Sequence, residues 1–291
     1  MLYASILYGG EFMITPKQLL DAGLLENPFQ RYADTRFFYP NLSEQRKVME
    51  VAYGFISDQK DPAKNLGVIA GSAGAGKGML AMKLAQSALP GISADPAQPK
   101  SAHGHTLGLY LNTNTVTEPR HFLMAVLETL GVPASRSNAN RLEGIFERLE
   151  TSEDQLLIVH DGPPVEQEYL TQLLSWSVEH EKKIKTLIFL QDLNNTVSNI
   201  GSLASFLGLY VPFRAPAPAE IVSCLYARMI FAGLEEPELL LPQEEAMQIA
   251  TESKGNLNAA LQLAHQHLEE LLNRQGPGQM LKIFRNRNLG S

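Results

Sequence analysis

The stretch that most constrains this chain is "GVIAGSAGAGKGML", Gly67 to Leu80. Gly71, Gly76 and Lys77 satisfy the spacing G-x-x-x-x-G-K, whose glycines let backbone N–H groups approach phosphates while the lysine reaches the β/γ oxygens. Such a loop works only between a buried strand and a helix, and the flanks comply. "LGVIA" (Leu66 to Ala70) is a short apolar run of strand type, and "KGMLAMKLAQSAL" reads as a helix. The position after the lysine, which ordinarily offers magnesium a hydroxyl, is Gly78. The loop keeps its amides, a helix start and one cation, and lacks one metal ligand. The competing reading is a glycine-rich turn without a ligand, because bare matches to this spacing arise by chance.

The rest of the chain repeats the alternation that the loop demands. "NLSEQRKVMEVAYGFIS" predicts a helix ahead of it, with Val48, Val51, Ala52, Phe55 and Ile56 on one face. "TLGLYLN", "QLLIVHD", "KTLIFLQD" and "LGLYVPF" read as four further strands, with helical "EPRHFLMAVLETL", "ANRLEGIFERLE" and "VEQEYLTQLLSWSVEHEKK" between them. Strands alternating with helices imply an α/β fold, a parallel sheet covered by helices. After Pro218 the strand signal ends. "AEIVSCLYARMIFAGL", "PQEEAMQIATES" and "NLNAALQLAHQHLEELLNRQ" predict a small all-helical lid domain. The expected division is an N-terminal segment over 1–40, a P-loop α/β core over 41–215, the helical lid over 216–275 and a basic tail over 276–291. A second start at Met13 would make residues 1–12 an upstream extension.

Composition excludes several classes. Of the 291 residues 44% are hydrophobic and 19% charged, without long like-charge blocks, which fits a folded globular chain. Cys224 is the only cysteine, so no internal disulfide forms, and a reducing, cytoplasmic location is expected. No run approaches the ~20 apolar residues of a membrane span, so no membrane anchor is expected. The net charge of −7 counts against a strongly basic nucleic-acid surface, leaving DNA as a partner only through a local patch.

Few side chains outside the loop carry chemistry. Asp161 closes "LLIVHD" in the manner of a Walker B strand, where the carboxylate holds magnesium, and its competing reading is a cap for the next helix. The residue that follows in many such hydrolases is a glutamate that polarises water; here Gly162, Pro163 and Pro164 follow, and none is a base. Glu166 and Glu168 read as a solvated helix face. His103 and His105 lack partners at ligand spacing and read as a surface loop, and Trp176 reads as core.

In this order the features resemble the AAA+ ATPases of the general secretion pathway protein A (ExeA-like) family and their relatives, the TnsC/TniB-type transposition ATPases. The likeness runs from "NPF" (Asn27, Pro28, Phe29) and "DTRFFYP" through "AGSAGAGKG", "LLIVHDG", "LIFLQD" and "YARMIFAGL" to "SKGNLNAALQLA". It implies a P-loop NTPase (AAA+) fold that binds ATP or ADP over Gly71, Ser72, Ala73, Gly74, Ala75, Gly76, Lys77, Gly78 and Met79, with Asn27, Pro28 and Phe29 near the base. It also implies Asp161 as a weak metal position, Gln191 as the polar first sensor, and a protein partner or AAA+-type oligomer. This chain departs from the family at Gly78 and Gly162, at Leu209 where a trans-acting arginine is expected, and at Asn258 where the sensor arginine falls; Arg214 is the nearby candidate for a displaced finger.

Each missing group is a positioned charge or metal ligand for a transition state that depends on electrostatic stabilisation. The expected function is therefore a nucleotide-binding switch or scaffold with impaired or absent hydrolysis and weakened magnesium binding. The alternatives are an active ExeA-like ATPase, a DNA-associated transposition-type regulator and a nucleotide-free interaction module.

Overall fold

The structure, a computed structural model, describes residues 14–30, 34–40, 42–58, 61, 63–87, 106–112, 118–133, 137–164, 166–181, 184–191 and 200–274. His103, His105, the opening dozen residues and the 276–291 tail lie outside the described residues. The chain divides into two compact units, a sheet unit over Ala33–Pro216 and a helical unit made of Met1–Tyr32 with Ala217–Ser291.

In the sheet unit the alternation read from the sequence is realised element by element. Helix α2 (Ser43–Ser57) precedes β1 (Leu66–Gly71), and α3 (Lys77–Ser87) follows it. Then come β2 (Thr106–Asn112), α4 (Pro119–Thr129), α5 (Asn138–Thr151), β3 (Gln155–Asp161), α6 (Gln167–Glu179), β4 (Ile184–Leu190) and β5 (Leu207–Phe213). The strands form one sheet in the order β2-β3-β4-β1-β5, and every pairing is parallel. Both faces are covered, which is why β3 and β4 read as unbroken apolar runs. Leu156 and Ile158 of β3 face α4, α5 and α6, in a core with Phe122, Ile145 and Leu173, while Leu157 and Val159 face α2 and α3 with Val48, Leu80 and Leu84. Trp176 belongs to the first of these cores and stacks on Phe146 with ring centroids 4.8 Å apart.

The strand order has a direct consequence for chemistry. The carboxyl ends of β1 and β3 flank β4, so the loop after Gly71, the acid at Asp161 and the polar residue Gln191 all emerge at one edge of the sheet. In open parallel sheets ligands bind outside the carboxyl ends of the strands.

One buried group in the sheet unit is costly. His160 is 2% exposed, its Nε2 has no hydrogen-bond partner, and its ring lies 6.0 Å from that of Phe122. Burial pushes its pKa down to about 4 from 6.5. Between these values the unfolded chain takes up a proton that the native chain refuses, so stability falls as pH drops below 6.5. At pH 5 this costs about 2 kcal/mol relative to pH 7. His160→Leu will flatten that acid limb in urea unfolding; an unchanged pH slope in the variant would assign the loss to other groups.

The helical unit contains α1 (Pro16–Asp21), α7 (Pro218–Phe231), α8 (Gln243–Glu252) and α9 (Leu257–Arg274). Thr15 and Gln18 form a reciprocal capping box that starts α1, a signal of the T-x-x-Q type present in the sequence. Arg228 of α7 is buried, with Nε donating to the Pro28 carbonyl at 2.6 Å and a terminal nitrogen donating to the Gln30 carbonyl at 3.2 Å. Cys224 is buried on the same helix, and burial raises its thiol to about 11, which leaves it a small unreactive hydrophobe. No described helix is long and apolar enough to cross a membrane.

Candidate functional site

The glycine loop folds as its spacing requires. Gly74 and Gly76 take φ of 73° and 97°, a region that side chains rarely adopt. Gly76 accepts the first helical hydrogen bond, from Leu80 N at 3.3 Å, so α3 begins at Lys77 with its unpaired amides at the loop. Ala75 is buried against Leu80 and Phe38, while Ser72 and Ala73 are exposed. Gly71 has a further reason to be glycine: a Cβ there would fall on the Phe213 carbonyl oxygen of the neighbouring strand.

Lys77 is 5% exposed and its Nζ donates to the carbonyls of Gly71 at 2.9 Å and Ser72 at 2.6 Å. Burial lowers the pKa of this amine, and the charge of Asp161 partly offsets that. The lysine thus ties the two ends of its own loop together and supplies the cation on its inner side. Met79 packs against the α3-side core.

Asp161 at the end of β3 is half-buried and does not cap α6, whose N-cap residue is Glu166. Instead its Oδ2 accepts a hydrogen bond from the Tyr110 hydroxyl at 2.9 Å. Tyr110 sits on β2, two residues before Asn112, which pairs with Asp161 in register. Burial first, then the charge of Asp161 and the hydrogen bond to it, raise the pKa of the phenol, so it stays protonated and donating. The same Oδ2 would lie 2.7 Å from a Cβ at residue 78. The carboxylate therefore rests against the bare Cα of Gly78, in the space where a serine or threonine side chain would begin. Tyr110 was not visible as a site residue in the sequence, where it is one aromatic in an apolar strand; the β2–β3 register brings it to the acid.

Gly162 takes φ of 119° and its N–H donates to the Phe189 carbonyl at 2.8 Å. The position where many such hydrolases place a glutamate is thus held in a backbone conformation that disfavours any side chain. Glu166 differs from the solvated-face expectation: it is 4% exposed, its Oε1 has no hydrogen-bond partner, and burial raises its carboxyl pKa. Glu166 is the N-cap residue of α6 and lies buried there. Glu168 is exposed as expected.

Gln191 follows β4 and is exposed, as is Arg214 just after β5. Leu209 is half-buried and packs on the α2-side core next to Gly67. In the helical unit Asn27 accepts from Phe29 N at 3.0 Å and its Nδ2 meets His265 Nδ1 at 3.1 Å, Pro28 receives Arg228, and Phe29 is 2% exposed. Asn258 is exposed on α9, beside Asn256, which caps that helix through Ala259 N at 3.0 Å. Among the described residues, no group of three or more His, Cys, Asp or Glu side chains assembles that could hold a metal ion.

No protein-family profile matches the chain, and no curated protein matches it. Solved structures do. The Aeropyrum pernix ORC1 protein, in a complex with DNA, is 18% identical with a TM-score of 0.57, covering 84% of this chain and 64% of its own. The Aeropyrum pernix ORC2 protein, in ADPNP–ADP complexes, is 16% identical with a TM-score of 0.60, covering 84% of this chain and 71% of its own. Cdc6p from Pyrobaculum aerophilum is 14% identical with a TM-score of 0.58, covering 82% of this chain and 64% of its own. This chain thus spans somewhat under two thirds of the ORC1 and Cdc6p chains. Its five-stranded parallel sheet with flanking helices is the P-loop fold of Orc1/Cdc6-type AAA+ proteins.

Proposed function

We propose that this chain binds ATP or ADP at Gly71 to Met79 as an AAA+ switch or scaffold within a larger assembly, with impaired or absent hydrolysis. The observation that carries the reading is the state of Lys77, a buried amine bonded to two carbonyls of its own loop and set beside the start of α3. A buried cation, positive-φ glycines and a helix N-terminus favour a di- or triphosphate over a neutral ligand. Hydrolysis has no comparable support, because Gly78 offers no hydroxyl and Gly162 no base.

Magnesium fits the residues poorly. Its ordinary protein ligands in such loops are the hydroxyl after the lysine and the strand-end acid. The first is absent and the second is engaged by Tyr110. Asn27, Pro28 and Phe29 are proposed to serve the base, and the ExeA-like and TnsC/TniB-type relationship, with its secretion or transposition context, is proposed from the sequence resemblance. A protein partner or AAA+-type oligomer belongs to the same proposal.

Titration calorimetry with ADP and ATP tests the reading. Lys77→Ala removes the charge-assisted contact to the phosphates and is expected to weaken binding by about tenfold or more while the protein stays folded. Equally negligible affinity in wild type and variant would leave the nucleotide-free interaction module in its place.

A further inference from the structure

We propose that Tyr110 takes the part that a metal ion plays beside Asp161 in other phosphate-binding loops, so that this site accepts nucleotide without magnesium. The inference rests on the nucleotide reading above and concerns how that same site is built. Two geometric observations meet at one oxygen. Tyr110 donates to Asp161 Oδ2 at 2.9 Å, and the same oxygen lies where it would stand 2.7 Å from a Cβ on residue 78; the negative charge of Asp161 also favours the charged form of the Lys77 amine.

A carboxylate beside a polyphosphate repels it, and that repulsion is weakened by a cation between the charges or by a hydrogen bond that holds the carboxylate in place and draws off part of its charge. Magnesium ordinarily fills that role, held by the loop hydroxyl and the acid. Here the chain itself provides the donor, and the two features are interdependent. Glycine at 78 lets the carboxylate settle against the loop's backbone, and the phenol holds it there. A side chain at 78 would crowd Oδ2, and loss of the phenol would remove the hydroxyl that holds Oδ2 in place and let the carboxylate turn toward a cation. Tyr110 is a positioning residue in this account, acting on the ligand through Asp161.

The test is nucleotide affinity measured by calorimetry with ADP and ATP, each in excess EDTA and in millimolar magnesium, on wild type, Tyr110→Phe and Asp161→Asn. Wild type is expected to bind within about threefold in the two buffers, whereas Tyr110→Phe is expected to bind about tenfold or more tightly with magnesium than without it. A wild type that binds only with magnesium overturns the inference and leaves the nucleotide reading standing. No binding in either buffer overturns both. A Tyr110→Phe protein as indifferent to magnesium as wild type removes Tyr110 from the account. Should Tyr110→Phe fail to fold, Asp161→Asn decides: affinity that is independent of magnesium supports the inference, and a loss seen only with magnesium marks Asp161 as a metal ligand and overturns it.

Discussion

Gly71→Ala will deprive the sheet unit of a cooperative native state or lower its stability by about 4 kcal/mol or more. Gly71 is the last residue of β1 and pairs with Phe213 at the end of β5. An added methyl group would land on the Phe213 carbonyl oxygen and lie 3.0 Å from both its carbonyl carbon and its Cβ. These are backbone and near-backbone atoms of a paired strand, and β1 is held on its other side by β4, so neither strand can retreat without breaking its ladder. Gly67 is the control. A Cβ there meets a terminal methyl of Leu187 at 2.6 Å, and that side chain can rotate. Denaturant unfolding followed by circular dichroism should show Gly67→Ala much closer to wild type than Gly71→Ala. A Gly71→Ala protein with wild-type stability would mean that the β1–β5 contact is looser than described.

ATP turnover by the wild type is expected to be slower than about 10⁻³ per second, at least about a thousandfold below the ordinary range. The deficit has separate origins. There is no hydroxyl at Gly78, Leu209 is packed on the unit's own core where a trans-acting arginine was expected, and the glutamate position is Gly162. An arginine finger alone is worth about 10³ to 10⁵ in rate. Gly78→Thr will not restore turnover, because its Cβ must displace the Asp161 carboxylate before the hydroxyl serves any metal. Gly162→Glu adds strain at φ of 119° before it adds a base. Phosphate release measured under magnesium and saturating ATP checks each variant. A wild-type rate of about 1 per second would promote the active-ATPase reading instead.

The fold was largely legible in the sequence because strands buried on both faces are written as apolar runs. "LLIV" of β3 and "TLIFL" of β4 need no partner to be recognised. Gly71, Gly76 and Lys77 were legible because their spacing carries a backbone geometry, which the positive φ of Gly76 and the start of α3 at Lys77 then realise. What escaped depends on register or on distant pairing. Tyr110 and Asp161 meet only because β2 and β3 align Asn112 with Asp161. Glu166 looked solvated because nothing in its neighbours says that the N-cap position of α6 is buried. The grouping of Asn27 to Phe29 with the last helices is carried by long-range bonds, from Arg228 to the Pro28 carbonyl and between Asn27 and His265, which no local pattern encodes.

That grouping makes the helical unit a host and the sheet unit an insertion within it. The carbonyls of Pro28 and Gln30 accept from Arg228, which follows only after the whole of Ala33–Pro216 has intervened. A ribosome delivers the insertion before it delivers the second half of the host. The sheet can close on its own strands during synthesis, while the first segment waits. The helical unit therefore cannot be completed until the residues after Ala217 have been made.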